Sequence, residues 1–97
     1  MDARQLKYFL AIVDAQGFAK AAEQLCIAQP SLSQTIARLE RELDVVLFHR
    51  VGRGVVLTDA GQRLIEPARQ VIRDLATAQA TIDTLKKTSP ATGLSST

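Results

Sequence analysis

The sequence predicts a mainly α-helical protein in which three short helices and a two-stranded β-hairpin precede one long helix. Three patterns indicate this fold class. Apolar residues recur at three- and four-residue spacing up to residue 43, a β-branched stretch with two glycines follows, and a heptad pattern then runs from Leu64 to Leu85. A chain of 97 residues has room for one small domain, and the core of so small a domain gains from a partner chain.

The first two helices are predicted over residues 4–14 and 18–25. Apolar side chains on the inward face of the first are Leu6, Phe9, Leu10 and Val13. We expect Gly17 to end this helix in a left-handed conformation. The inward face of the second carries Phe18, Ala21, Ala22 and Leu25.

A third helix is predicted over residues 29–43, after the short turn 26–28. Pro30 is tolerated in the first turn, where the amide has no helical partner. One face is apolar and carries Leu32, Ile36, Leu39 and Leu43. The opposite face is polar and basic, with Ser33 at its edge, and carries Pro30, Gln34, Ala37, Arg38 and Arg41. Two helices joined by a tight turn, with a polar outer face on the second, are typical of a helix-turn-helix.

A β-hairpin is predicted next, with strands over residues 45–50 and 55–57. The turn between them contains two glycines, and Arg53 would lie at its tip. A two-stranded ribbon after a helix-turn-helix is a wing. Residues 1–57 are therefore predicted to form a winged helix-turn-helix headpiece.

The fourth helix is predicted over residues 58–87, capped by Thr58 and about 43 Å long at about 1.5 Å per residue. Pro67 should kink it or lie where a hydrogen bond is dispensable. Its apolar stripe follows heptad spacing and consists of Leu64, Ala68, Val71, Leu75, Ala78, Ile82 and Leu85. The stripe could pack on its own domain, but because such a helix extends beyond the headpiece, we expect much of the stripe to pair with a second copy of the chain. Residues 88–97 are small and polar, which indicates a flexible hinge or tail.

Composition excludes several function classes. The net charge is +2, and Cys26 and His49 are single residues of their types, so neither an internal disulfide nor a structural zinc site is expected. No P-loop or dinucleotide fingerprint is present, so we expect neither an enzyme nor a cofactor. The sequence contains neither a long apolar run nor a signal peptide, so we expect a cytoplasmic location and not a membrane location.

The single cysteine and the single histidine each have two interpretations. Cys26 is either an apolar filler in a turn or a redox-sensing thiol, and His49 is either a surface residue or a phosphate contact.

The polar face of the third helix and the wing contain side chains suited to DNA. Gln29 and Gln34 can both donate to and accept from adenine, and Pro30 can contact a thymine methyl group. The residues suited to phosphates or bases are Ser31, Ser33, Arg38 and Arg41. Arg53 at a hairpin tip suits a narrow A·T minor groove. Each residue taken alone is better explained by a solvated helix face. The polar face, the preceding short helix and the basic wing occur in the right order, and this combination favours DNA binding.

Several motifs together resemble the headpiece of LysR-type bacterial transcriptional regulators. They are Leu6-Lys7-Tyr8-Phe9, Ala21-Ala22, residues 28–40, Leu47-Phe48-His49-Arg50 and Leu57-Thr58-Asp59-Ala60-Gly61. The resemblance covers residues 2–87. It implies linker helices that pair antiparallel in a dimer, dimers that join into tetramers, and a carboxy-terminal effector-binding domain. That domain is expected to be absent from this chain, and no effector site is expected here.

The resemblance also implies roles for individual residues. Residues that would meet the major groove are Gln29, Pro30, Ser33 and Gln34. Arg38 and Arg50 would contact the backbone, and Arg53 the minor groove. Departures from the family pattern are Ala19, Ala28, Gln34, Asp44 and Val46. The loss of a helix cap at Ala28 costs about 1 kcal/mol. These departures affect affinity and target sequence.

The predicted partners are double-stranded DNA with an A/T-rich pseudopalindrome and a second copy of the chain. The alternative is a coiled-coil module that binds other proteins and not DNA. That alternative predicts apolar residues on the outer face of the third helix, where the sequence has Gln34, Arg38 and Arg41.

Overall fold

A computed structural model describes residues 1–52 and 54–88. In chain order the elements are α1 (Ala3–Ala15), α2 (Phe18–Leu25), α3 (Gln29–Leu43), β1 (Phe48–Val51), β2 (Gly54–Leu57) and α4 (Asp59–Thr88). The predicted fold class, three helices and a two-stranded sheet before a long helix, is confirmed. The tail was predicted over residues 88–97, but Thr88 is the last residue of α4. Residues 89–97 and Arg53 lie outside the described residues.

Both ends of α1 are held by local hydrogen bonds. At its start, the Gln5 amide donates to Asp2 Oδ1 at 2.8 Å and the Asp2 amide donates to Gln5 Oε1 at 2.9 Å, which is a reciprocal capping box. At its end, the left-handed residue is Gln16, with φ of 61°, and its amide donates to the Ile12 carbonyl at 2.8 Å. The expectation that Gly17 takes this conformation is wrong, because Gly17 has an extended φ of 176°.

The core lies where α1, α2 and α3 meet the base of the wing. Its fully buried large side chains are Phe9, Ile12, Leu32, Leu39 and Leu47. Ile12 was not among the residues predicted to face inward, whereas Val13, which was, is only half-buried. Two aromatic contacts join the wing to the helices: the Phe48 ring centroid lies 5.4 Å from that of Phe9 and 5.8 Å from that of Phe18.

The wing is an antiparallel pair in which Phe48 faces Leu57 and Val51 faces Gly54. The first strand starts at Phe48 and not at Val45 as predicted. The Val45 amide still donates to the Glu40 carbonyl at the end of α3, at 3.2 Å. The Glu40 carboxylate oxygen Oε2 then accepts from the amides of Leu47 at 2.7 Å and Phe48 at 3.4 Å. A side chain of α3 thus binds the backbone just before the strand begins.

Helix α4 starts in close contact with the segment that leads into the wing. Thr58 caps it as predicted: its hydroxyl accepts from the Gly61 amide at 3.0 Å and donates to the Val46 carbonyl at 2.5 Å. The helix then continues through Pro67 without a break. Neither α4 nor any other helix in the described part of the chain is apolar enough over a sufficient length to cross a membrane.

Gly61 lies close to the backbone of the segment that enters the wing. A Cβ atom built on it would lie 2.3 Å from the Leu47 carbonyl oxygen and 2.8 Å from Leu57 Cδ2. The first turn of α4 therefore packs directly against the chain entering the wing.

We predict that Gly61→Ala destabilises the protein by about 1–3 kcal/mol, because the new methyl group overlaps a backbone oxygen. Helix propensity alone favours alanine by about 1 kcal/mol, so the sign of the change is informative. Urea unfolding followed by circular dichroism measures it. Gly54→Ala is the matched control, because its Cβ would meet only the Gln16 carbonyl oxygen at 3.5 Å. A Gly61→Ala protein as stable as the Gly54→Ala protein would contradict the close approach.

Candidate nucleic-acid interface

The outer face of α3 is open to solvent. Exposed residues of the predicted site on this helix are Gln29, Pro30, Ser31, Gln34 and Arg38, and Ser33 is half-buried. The same face borders a groove against the start of α1, to which Arg4 and Arg41 also contribute. The apolar face of α3 is turned inward, with Leu32, Ile36 and Leu39 in the core. The structure thus separates the two faces of α3 as the sequence predicts.

The charges beside this groove are unequally compensated. Glu42 Oε1 lies 2.8 Å from the Met1 ammonium nitrogen, and the hydrogen bond from that ammonium is the main reason why the pKa of Glu42 lies below its ordinary value. Asp2 accepts from the Gln5 amide. Arg38 and Arg41, by contrast, form no ion pair within 4.0 Å among the described residues. The groove therefore presents arginines that are not held in ion pairs next to α3, although Arg38 is near enough to Glu42 to contribute to the lowered pKa of that carboxyl.

Arg4 is a residue of this groove that the sequence predictions missed. Its Nε donates to Tyr8 Oη at 3.3 Å, and its guanidinium carbon lies 5.5 Å from the Tyr8 ring centroid. The hydrogen bond with Tyr8 is the main cause of a raised pKa for Arg4. The four-residue spacing of an arginine and a tyrosine on one helix is the signal that could have indicated this contact.

The wing supplies Arg50, which the structure places against both helices of the helix-turn-helix. Its Nη2 donates to Ser33 Oγ at 2.8 Å, and its guanidinium carbon lies 4.1 Å from the Phe18 ring centroid. The sequence predicted Arg50 and Ser33 as separate site residues. The structure brings these two together and adds Phe18.

Several single predictions have clear structural outcomes. Cys26 lies in the turn after α2 but is exposed, with a left-handed φ of 59°, so it does not fill the core. His49 is exposed on β1 opposite Val56. Ala28 makes no side-chain cap for α3, and Asp44 adopts the left-handed conformation expected of it, with φ of 57°.

The apolar stripe of α4 divides into two parts. Ala68 is 1% exposed and belongs to the core of its own chain, and Leu64 is half-buried against that core. Assigning Ala68 to a dimer contact is therefore wrong, because α1 packs on this part of α4 and Arg69 Nη2 lies 2.9 Å from Asp14 Oδ1. The part of the stripe that remains exposed consists of Val71, Leu75, Ala78, Ile82 and Leu85. We call these five residues the distal stripe.

Metal binding finds no support in the geometry. Within residues 1–52 and 54–88, no three histidine, cysteine, aspartate or glutamate side chains are close enough together to hold an ion.

Comparison with known proteins gives consistent matches. The HTH-type transcriptional regulator TfdT of Cupriavidus pinatubonensis is 47% identical over 72 residues, which is 74% of this chain. The chain spans about a third of the length of that relative, 32%. The crystal structure of a CbnR_DBD–DNA complex matches with a TM-score of 0.83 and 36% identity, covering 89% of this chain and 99% of the other.

A second solved structure, a BenM_DBD/catB site 1 DNA complex, matches with a TM-score of 0.84 and 37% identity and covers 90% of this chain and 94% of the other. Residues 3–62 match the family model described as "Bacterial regulatory helix-turn-helix protein, lysR family". That match spans more than half of the 97 residues, including all of α1, α2, α3 and the described wing. The chain therefore belongs to the LysR family of bacterial regulatory helix-turn-helix proteins.

Proposed function

We propose that this chain binds double-stranded DNA sequence-specifically, as a dimer, in a bacterial transcriptional regulator. The observation that carries the proposal is the exposed polar face of α3 beside arginines that form no ion pair among the described residues. A helix with this surface fits the major groove, and a two-stranded wing next to it reaches the adjacent minor groove. The similar CbnR and BenM domains form complexes with DNA, which supports DNA binding by this chain.

The proposed contacts divide into two chemical classes. Gln29, Gln34 and Pro30 are assigned to base edges, because amides pair with adenine and an apolar ring packs on a thymine methyl group. Arg38 and Arg50 are assigned to phosphates and Ser31 to a phosphate or a base, and the resemblance places Ser33 at the major groove. Arg53 is proposed for an A·T-rich minor groove on the basis of its place in the sequence alone.

The dimer is proposed to form through the distal stripe of α4. Val71, Leu75 and Ile82 are 42%, 48% and 48% exposed, so a row of large apolar side chains faces solvent. A second copy would cover them, and the two-fold symmetry of such a dimer matches a pseudopalindromic site. Tetramers and an effector response are proposed only for a protein that carries further domains.

Two further points belong to the same proposal. The relatives' names identify transcriptional regulators, which supports a regulatory and not a catalytic role. A bacterial protein that binds chromosomal DNA acts in the cytoplasm, so we propose a cytoplasmic location. The alternative of a protein-binding coiled coil without DNA contact finds no support, because Gln34, Arg38 and Arg41, and not apolar residues, are exposed on the outer face of α3.

We predict that Arg38→Ala weakens binding to all duplexes by a similar factor, whereas Gln34→Ala changes the preference among them. A phosphate contact carries no sequence information, but a base contact does. Electrophoretic mobility shifts on a selected pseudopalindrome and on a scrambled duplex of equal composition measure both effects. Arg63→Ala is the matched charge control, because Arg63 pairs with Asp59 within α4 at 3.0 Å. Equal losses for Arg38→Ala and Arg63→Ala would refute the assignment of Arg38.

We predict that Leu75→Glu combined with Ile82→Glu converts the dimer into monomers, because charges cannot be buried in an apolar helix pair without a large cost. Sedimentation velocity measures the change, and binding to a pseudopalindrome should fall with it. Ala80→Glu is the control, since Ala80 is exposed on α4 but lies outside the distal stripe. A doubly substituted protein that still sediments as a dimer would contradict this interface.

A further inference from the structure

The Arg50 guanidinium lies where the wing and both helices of the helix-turn-helix meet. Its Nη2 donates to Ser33 Oγ on α3 at 2.8 Å, and its Cζ lies 4.1 Å above the Phe18 ring on α2. The residue as a whole is exposed, yet its charged end has two fixed neighbours. A cation–π contact and a hydrogen bond together restrict a side chain that otherwise has many rotamers.

The alternation of β1 explains how this contact arises. Phe48 and Arg50 are two residues apart in the strand, so their side chains leave it on the same side. The Phe18 ring meets Phe48 nearly edge-on, at 73° between ring planes, and meets the cation of Arg50 through its face. Phe18 thus contacts the aromatic core and the wing arginine at once.

The environment restrains Arg50 without neutralising it. Ser33 and Phe18 carry no charge, and within the described part of the chain no carboxylate lies within 4.0 Å of the guanidinium. A guanidinium has five N–H donors, and the described contacts use one of them, on Ser33. Because Arg50 is exposed as a residue, its positive charge is accessible beside Ser33 in the first half of α3, which suits a phosphate.

We propose that Ser33 and Phe18 are positioning residues, which hold the Arg50 guanidinium in place for a DNA phosphate. The inference rests on the proposed DNA-binding function. It changes the role of Ser33: the hydroxyl acts through Arg50 and not by contacting DNA on its own. Holding the side chain in advance reduces the conformational entropy lost on binding, so affinity depends on residues that never touch the DNA.

A double-mutant cycle tests the proposal. The probes are a duplex that the unmodified protein selects from a random library and a scrambled duplex of equal composition. Arg50→Ala should weaken binding to both, on the order of 10- to 100-fold, as for a lost charged hydrogen bond. It should also reduce the slope of log affinity against log salt by about 0.9, the value for one phosphate.

Ser33→Ala should weaken binding by about 2- to 10-fold when Arg50 is present, as for one neutral hydrogen bond. In the Arg50→Ala background the same change should have no further effect. Ser33→Thr keeps the hydroxyl and should restore affinity. Ser31→Ala is the matched control: this exposed serine on the same helix does not bond Arg50 in the structure, and its effect should add to that of Arg50→Ala.

Phe18→Leu keeps an apolar side chain in the core and removes the ring that contacts Arg50. We expect this variant to bind DNA more weakly when Arg50 is present and to show no further loss of affinity in the Arg50→Ala background. If this variant unfolds in a thermal melt, the Ser33 cycle decides by itself. Equal losses from Ser33→Ala in both backgrounds would overturn the positioning role while leaving DNA binding intact. An unmodified protein that retains no duplex from the library would instead refute the proposed function, and the inference with it.

Discussion

The burial of Phe48 between Phe9 and Phe18 is the contact on which the arrangement of this protein depends. A two-stranded ribbon is only marginally stable alone, because it has too little apolar surface to bury. Here the first residue of β1 is 7% exposed and joins the rings of α1 and α2 in one aromatic cluster. The wing is therefore attached to the helices at its base, and the position of Arg50, two residues further along, follows from that attachment.

A second group of contacts fixes the chain on either side of the wing. Glu40 of α3 accepts from the Leu47 amide, the Leu47 carbonyl accepts from the Thr58 amide at 3.0 Å, and Gly61 packs on that same carbonyl. The end of α3, the wing and the start of α4 are thus connected through the backbone of one residue. This gives α4 a defined direction from the headpiece, which Arg69 and Asp14 reinforce from α1. For a dimer built on α4, that direction sets how far apart two copies of α3 lie.

Helices α3 and α4 each have a buried part that packs on the core and an exposed part that faces solvent. On α3, the inward leucines hold the helix to the core while the outward glutamines and arginines stay in solvent. On α4 the division runs along the length of the helix. Its first half packs on the headpiece through Ala68 and Ile72, and beyond them Leu75 and Ile82 are both 48% exposed. Apolar periodicity alone does not distinguish these two halves of α4. The same three- and four-residue spacing occurs in helices that pack on their own domain and in helices that pair with a second chain.

The sequence by itself determined the order and type of every described element, the two faces of α3 and the cap at Thr58, because these depend on periodicity and on hydrogen bonds between near neighbours. It misplaced the left-handed residue at the end of α1 by one position, although the hydrogen bond there is local. It also misplaced the start of β1 and the role of Ala68, because these depend on contacts with α3 and α1. Arg4 beside α3 and the Arg50, Ser33 and Phe18 contact also needed the tertiary structure. Arg50 lies 17 positions from Ser33 in the chain. The packing of Phe48 on Phe18 and the hydrogen bonds from the start of the wing to Glu40 of α3 bring the two residues together.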